Sequence, residues 1–271
     1  MIVASRYIYN IIFTTIYTMS QVTFTNDDNV VISLLNHPES EKFKRRVDNE
    51  VLFRRINTFL IKNNIIKNNI IDLGAWIGDN SIPWAKNITG LVYAIDPSPD
   101  NCHFINETCK LNNITNVTTL QHAISNKNEL VTTDDNLGHC SFVFRNPMLN
   151  GRNKIQAVSL DYLYASKIID NIGYIHLDVE GMEYKVVEGS ENIINTFRPV
   201  ISFEQHLEID NYVSIVELFK KHNYIVFLIN EILPDCRHDC RNSIAFPAEI
   251  YNDNLIHDIH RYIGRDLLER K

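Results

Sequence analysis

The chain has 271 residues, 45% of them hydrophobic, enough to bury one large core with an appendage. Its formal charge of -7 supplies no general basic surface, which weighs against strong electrostatic binding to nucleic acid. Five cysteines (Cys102, Cys109, Cys140, Cys236, Cys240) in a chain too long to need stapling argue against a disulfide framework and for a reducing compartment, the cytosol.

In chain order, residues 1–18, "MIVASRYIYNIIFTTIYT", form an apolar extension. Its uncharged stretch from Tyr7 to Met19 contains Asn10 and is shorter than the roughly 20 residues that cross a bilayer, so stable membrane insertion is not expected. Arg6 ahead of the apolar run leaves an export signal or anchor open, although no clear small-residue cleavage site follows. A third reading starts translation at Met19 and gives the extension no structural duty. Residues 19–68 carry apolar positions at helical spacing, as in "EVLFRRINTFLIKNN", and predict a helical segment ahead of the core.

From Asn69 the pattern changes. Short apolar runs ("NIIDLG", "LVYAID", "VTTLQHAI", "GYIHLDV", "PVISFE", "YIVFLI", "SIAF") alternate with helical segments at 81–87, 99–111, 183–195 and 209–222. Alternation of strand and helix implies crossovers, a mostly parallel sheet and helices on both faces, a doubly wound α/β domain spanning 69–250. Within it "CSFVFRN" and "KIQAVSL" read as a hairpin or an added pair of strands around "PMLNGRN", and residues 251–271 read as a C-terminal helix.

In such sheets ligands bind beyond the carboxyl ends of the strands. Asp72, Asp96, Asp178 and Glu204 each stand at or near the end of an apolar run, so the four acids converge on one cleft. Gly74 and Gly78 supply a tight turn whose N–H groups and following helix N-terminus face a ligand. Asp96, about 20 residues beyond the turn, stands where a carboxylate accepts hydrogen bonds from both ribose hydroxyls. The third glycine of a dinucleotide fingerprint and the lysine-serine end of a P-loop are both missing from "DLGAWIG", so neither a pyrophosphate nor a triphosphate is provided for. Asp72 before the turn suits a positively charged ligand. S-adenosylmethionine carries a sulfonium and an ammonium, and its carboxylate is expected near Asn80 and Ser81.

"IIDLGAWIGDNSIPWA", "VYAIDPSPDNCHFIN", "NVTTLQHAIS", "VSLDYL", "LDVEGMEYKVVEG" and "RPVISFE" follow one another in an order that resembles the FkbM-type class I methyltransferases, over roughly Val51 to Phe246. The resemblance implies a seven-stranded Rossmann-like sheet, S-adenosylmethionine as methyl donor, and methylation of hydroxyl groups on sugars or polyketide-type small molecules. It matches Asp72, Gly74, Ala75 and Gly78 to the cofactor loop and Asp96 to the ribose-binding acid, and places the adenine near His122 and Ala123. Trp76 departs from it, since the family commonly has asparagine there.

Methyl transfer to oxygen needs an aligned acceptor and a base. Asp178 is the first candidate for that base; the competing reading makes it the cap of the helix beginning near Gly181. Glu204 and His206 are expected to bind substrate or relay a proton, and Glu180 and Glu183 to serve as first-turn acids. Asp178, Glu180 and Glu204 are donors a hard divalent cation accepts, but no metal is expected. "CRHDC" (236–240) lacks a second ligand pair and reads as a loop with incidental thiols. Residues 130–158 and 230–242 are expected to contact the acceptor, a small molecule or glycan. Two other functions stay open, a noncatalytic module of the same fold that binds a partner, and a nucleic-acid methyltransferase, the latter disfavoured by the acidic balance. Oligomeric state is not legible.

Overall fold

The computed structural model describes residues 20–23, 30–133, 153–208, 211–233 and 236–271, with backbone alone at 20–23, 131–133 and 153–154. The extension 1–18 and "CSFVFRN" lie outside them.

The segment 19–68 is not wholly helical. An antiparallel pair, β1 (Ser20–Thr23) and β2 (Val31–Leu34), comes first, with Ser20 opposite Leu34. Helix α1 (Pro38–Asn49) follows, its N-terminus set by Pro38 and by His37, whose Nδ1 accepts from Glu39 N at 3.2 Å. Helix α2 (Val51–Lys62) comes next and is capped from far along the chain: the Glu231 carboxylate accepts from Leu52 N and Phe53 N at 2.9 and 3.0 Å.

The core then runs β3 (Asn69–Leu73), α3 (Ser81–Asn87), β4 (Val92–Ile95), α4 (Pro99–Leu111) and β5 (Val117–Leu120). Helices α3 and α4 have the bounds that the sequence pattern predicts. "VTTLQHAI" breaks after Leu120, because His122 N turns back to Leu120 O at 3.1 Å and a separate strand β6 (Ala123–Ile124) leaves the main sheet. It joins β7 (Glu129–Thr133) and β8 (Asn153–Val158) in a small three-stranded sheet. Residues 153–157, "NKIQA", therefore pair with residues 129–133.

Helix α5 (Leu160–Ala165) leads to β9 (Ile172–Leu177), α6 (Glu183–Glu188), α7 (Glu191–Phe197), β10 (Val200–His206), α8 (Tyr212–Lys221), β11 (Tyr224–Ile229) and β12 (Cys240–Pro247). The chain closes with α9 (Asp253–Ile263) and β13 (Leu268–Arg270). The main sheet has the order β13-β11-β12-β10-β9-β3-β4-β5. Neighbours from β5 to β10 pair parallel, whereas β12 is antiparallel to β10 and β11. This is the expected doubly wound sheet of seven strands with an eighth added: the C-terminal segment does not end as a helix but turns at Gly264, and β13 pairs with β11.

Helices cover both faces. On one, Ile71, Leu73, Ile175 and Leu177 pack against Val186, Ile193, Ile215 and Phe219 of α6 to α8. On the other, Ile70, Tyr174, Val200 and Phe246 meet Phe53, Ile56 and Leu60 of α2, Trp84 of α3, and Ile259 of α9. The α2 residues lie at i, i+3 and i+7, one stripe of a helix. β3 is buried at every position, as a central parallel strand must be. A third cluster sets Phe43 and Val47 of α1 against Ala75, Ile77 and Ile82, and so brings α1 to the carboxyl ends of the strands. Among the described residues no helix is long and apolar enough to cross a membrane.

Candidate active site

A cavity of about 260 Å³ opens beyond the carboxyl ends of β3, β4, β9 and β10. Three of the four predicted acids, Asp96, Asp178 and Glu204, line it together with Gly74, Asn80, His122 and Ala123.

Asp96 anchors one end. Its Oδ1 accepts from Ser98 N at 2.8 Å and Asn101 Nδ2 at 2.9 Å, and its Oδ2 from Trp76 N at 2.9 Å. Burial nevertheless dominates and pushes the carboxyl up to about 6. Trp76 occupies a left-handed conformation (φ 44), which asparagine adopts at lower cost than an indole-bearing residue. Trp76 lines the cavity, its ring centroid 6.0 Å from Lys42 Nζ. His122 lines the cavity, but its Nδ1 is itself shut off from solvent and has no hydrogen-bond partner.

Asp72 is not in the cavity. It is 1% exposed, and its carboxylate is taken by Ser81 Oγ and by His176 Nδ1, the latter at 2.8 Å. It therefore ties α3 to β9 and stands behind the cavity wall. His176 is itself buried between the rings of Phe53 and Trp84. Burial opposes the charge on His176, but the Asp72 carboxylate outweighs it and holds the imidazole above its usual range.

Ala75 is also core, and Gly78 (φ 79) faces Ile82 and Ile105, so the second glycine serves the turn rather than a ligand. Gly74 (φ 72) does line the cavity, but what requires glycine there is protein: a Cβ would stand 1.8 Å from Asp178 O.

At the other end stand Asp178 and Glu204. Arg46 of α1 reaches both, its Nη2 lying 3.5 Å from Asp178 Oδ2, 3.4 Å from Glu204 Oε2 and 3.0 Å from Glu50 Oε1. Burial pushes Asp178 up to about 7 against the pull of Arg46. Glu204, deeper, is raised by burial and by Asp178. Asp178 is not the cap of α6: that helix starts at Glu183 with Met182 in the cap position and no side-chain cap bond. Glu183 is buried instead, accepting from Val179 N at 3.0 Å and Gly181 N at 3.3 Å and from Gln205 Nε2 at 3.0 Å, and so it shapes the loop that presents Asp178. Glu180 lines the cavity. His206 does not line it; its Nε2 meets Sγ of Cys236, which does, at 3.6 Å.

Among the lining residues missed by sequence reasoning, the basic ones come from α1. Lys42, Arg45 and Arg46 all line the cavity, and their i, i+3, i+4 spacing in "EKFKRRVDN" is the signal that marks them as one helix face. Arg54 of α2 holds the turn from behind. It donates through Nη1 to Asp79 O and Asn80 Oδ1, both at 2.7 Å, and through Nη2 to Asp79 Oδ2 at 2.8 Å and Glu50 Oε2 at 3.2 Å. Arg54→Met strands the buried Asp79 carboxylate and removes one of the two arginines on Glu50, so we expect a loss of about 3 kcal/mol in urea unfolding, with Arg54→Lys recovering part of it. A loss under about 1 kcal/mol contradicts this clamp.

A sequence model of the methyltransferase FkbM domain matches residues 72–226, more than half of the chain. No curated protein matches it. Among solved structures, methyltransferase FkbM from Methylobacillus flagellatus KT is similar at 16% identity and a TM-score of 0.48, over 66% of this chain and 43% of that one, so this chain spans less than half of that protein. Precorrin-6y C5,15-methyltransferase from Geobacter metallireducens GS-15 is similar at 14% identity and a TM-score of 0.44, over 71% of this chain and 88% of that one. TYW2 of M. jannaschii in complex with AdoMet is similar at 14% identity and a TM-score of 0.38, over 84% of each chain. By the domain match over 72–226, joined to the glycine turn and the strand-end acids within it, this chain belongs to the FkbM methyltransferase family.

Proposed function

We propose that the chain transfers a methyl group from S-adenosylmethionine to a hydroxyl group of a sugar or other small molecule. The observation that carries the proposal is the shared cavity, with Asp96 and His122 at one end and Asp178 at the other. The residues fit the nucleoside: a buried carboxylate suits two ribose hydroxyls, and His122 and Ala123 line the cavity beside it, where a base would lie. When bound, the cofactor supplies an electrophilic methyl on a sulfonium with a neutral leaving group. Asp178 Oδ1 takes the acceptor's hydroxyl proton while Arg46, against Oδ2, keeps the carboxylate oriented.

Titration calorimetry with S-adenosylmethionine, followed by labelled methyl transfer to a panel of sugars and to RNA, tests this. Binding and transfer to a sugar hydroxyl are expected. No heat of binding points to a noncatalytic module, and transfer to RNA alone overturns the acceptor class.

Asp96 adds a pH dependence. Its folded value of about 6 exceeds its unfolded value, so its contribution to the stability of the ligand-free chain is greatest in acid and declines as pH rises through about 6. Binding runs the other way, because ribose hydroxyls donate to the ionised form. Affinity for S-adenosylmethionine is expected to weaken about tenfold per pH unit below 6, and near pH 6 binding releases protons, visible as buffer-dependent enthalpy. Asp96→Asn should bind weakly and without this slope; a folded Asp96→Asn variant that binds as tightly as the wild type excludes Asp96 as the ribose acid.

A further inference from the structure

The motif "CRHDC" acquires in three dimensions the second ligand pair that its sequence lacks. β10 and β12 pair with His206 opposite Cys240, and Glu204, two residues before His206, shares its face of the strand. Cys236, in the segment entering β12, comes back over that face. Its Sγ lies 3.6 Å from His206 Nε2 and 3.8 Å from Glu204 Oε1. One ligand atom from each of Glu204, His206, Cys236 and Cys240 can be chosen so that all four lie within 4.8 Å of one another, with Glu204 and Cys240 buried. The third residue of the motif is not part of this group: His238 Nε2 is turned out to Glu208 Oε1 at 2.9 Å.

A zinc ion bound at about 2.3 Å to sulfur and about 2.0 Å to nitrogen or oxygen holds such atoms about 3.5 Å apart at tetrahedral angles, close to the spacings found here. Two thiols with an imidazole and one carboxylate also form a donor set that favours zinc over the all-oxygen cations magnesium and calcium.

We propose that Glu204, His206, Cys236 and Cys240 bind one zinc ion in the wall of the cavity. Four protein ligands close the site, which makes the ion structural, tying the segment at Cys236 to β10. The two carboxylate oxygens of Glu204 then divide their work, Oε1 on the metal side beside Cys236 and Oε2 toward Arg46. Binding releases the two thiol protons to solvent. Glu204 and Cys236 line the cavity, so the ion would fix the wall next to Asp178. This inference stands apart from the methyl donor and is measured without it.

The test uses the full chain, stripped with a chelator under reducing conditions and titrated with Co²⁺, then with Zn²⁺. One equivalent of Co²⁺ should give the visible bands of a tetrahedral centre and thiolate-to-cobalt charge transfer, both abolished when Zn²⁺ displaces it. Cys236→Ser and Cys240→Ser should each lower Zn²⁺ affinity about 100-fold or more, while His238→Ala leaves it unchanged. Should either serine variant fail to fold, the wild-type chain still decides the matter, because Zn²⁺ must slow modification of Cys236 by a thiol reagent. A folded wild-type chain that takes up no Co²⁺, loss of binding in His238→Ala, or full thiol reactivity at saturating Zn²⁺ overturns the proposal.

Discussion

Gly74→Ala is expected to destabilise the chain by roughly 4 kcal/mol or more and to abolish activity, a larger effect than one methyl group usually has. The added Cβ would lie 1.8 Å from Asp178 O and 2.9 Å from Asp178 C, against backbone that cannot rotate aside. Movement away is blocked on both flanks. Asp178 N donates to Leu73 O at 3.0 Å, joining the ends of β3 and β9, and Gly74 N and Ala75 N both donate to Ile95 O, at 3.0 and 3.1 Å, joining β3 to β4. Relief means opening one of these seams, in addition to the strain of a left-handed φ of 72 for a residue with a side chain.

Gly78 provides the contrast. Its φ is 79, but a Cβ there meets Ile82 Cδ1 at 3.0 Å and Ile105 Cγ1 at 3.1 Å, side-chain atoms that can yield, so Gly78→Ala should cost only about 1–2 kcal/mol. Urea unfolding of both variants, with S-adenosylmethionine calorimetry on whatever folds, separates the two cases. If Gly74→Ala unfolds within about 1 kcal/mol of wild type and binds the ligand normally, the crowding at Asp178 O is not the constraint.

Gly74 also illustrates where sequence reading succeeds and stops. The glycine is legible, because an apolar run ending in a tight turn needs a residue tolerant of positive φ. What presses against it is not, because Asp178 lies far along the chain and reaches Gly74 only through the register Leu73 to Leu177. The partners of Asp72 are hidden for the same reason: an acid before a glycine turn suggests a cation, but β3 beside β9 sets it against His176, and α3 adds Ser81. Asp96 does line the cavity, and its partners, Trp76 N, Ser98 N and Asn101, are close in sequence or on the adjacent strand-turn unit.

Helix boundaries follow the same division. The bounds of α3 and α4 are local matters of caps and composition, Ser98 and Pro99 starting the second of them. The expected helix 183–195 instead breaks in two, because Gly189 packs where a Cβ would stand 2.5 Å from Ser125 O, and Asp161 caps the second half by accepting from Asn192 N and Ile193 N at 2.9 and 3.0 Å. Neither neighbour is visible from the segment itself. The largest gap is α1, whose basic face reaches the acids of the cavity although it lies outside the matched domain.

Asp178→Asn is expected to lower kcat by roughly 10²- to 10⁴-fold while S-adenosylmethionine affinity stays within about threefold. The substitution keeps the shape of the side chain and removes the capacity to take a proton. Of the two acids at this end, the Glu204 side chain is 7% exposed with its oxygens directed at Arg46 and Cys236, whereas the Asp178 side chain remains 25% exposed in the cavity and engages Arg46 through Oδ2. Burial brings Asp178 to about 7, where the ionised form is abundant at neutral pH and the conjugate acid is not too weak to be useful. A base must be ionised to act, so the wild-type rate should rise with pH through about 7 and fall about tenfold per unit below it. Asp178→Asn should erase that limb from its residual activity. A residue that only supports the loop would lower the rate without changing its pH profile, so a variant that retains the wild-type inflection near 7 removes Asp178 from the proton transfer and leaves the base to be sought among the other cavity-lining groups.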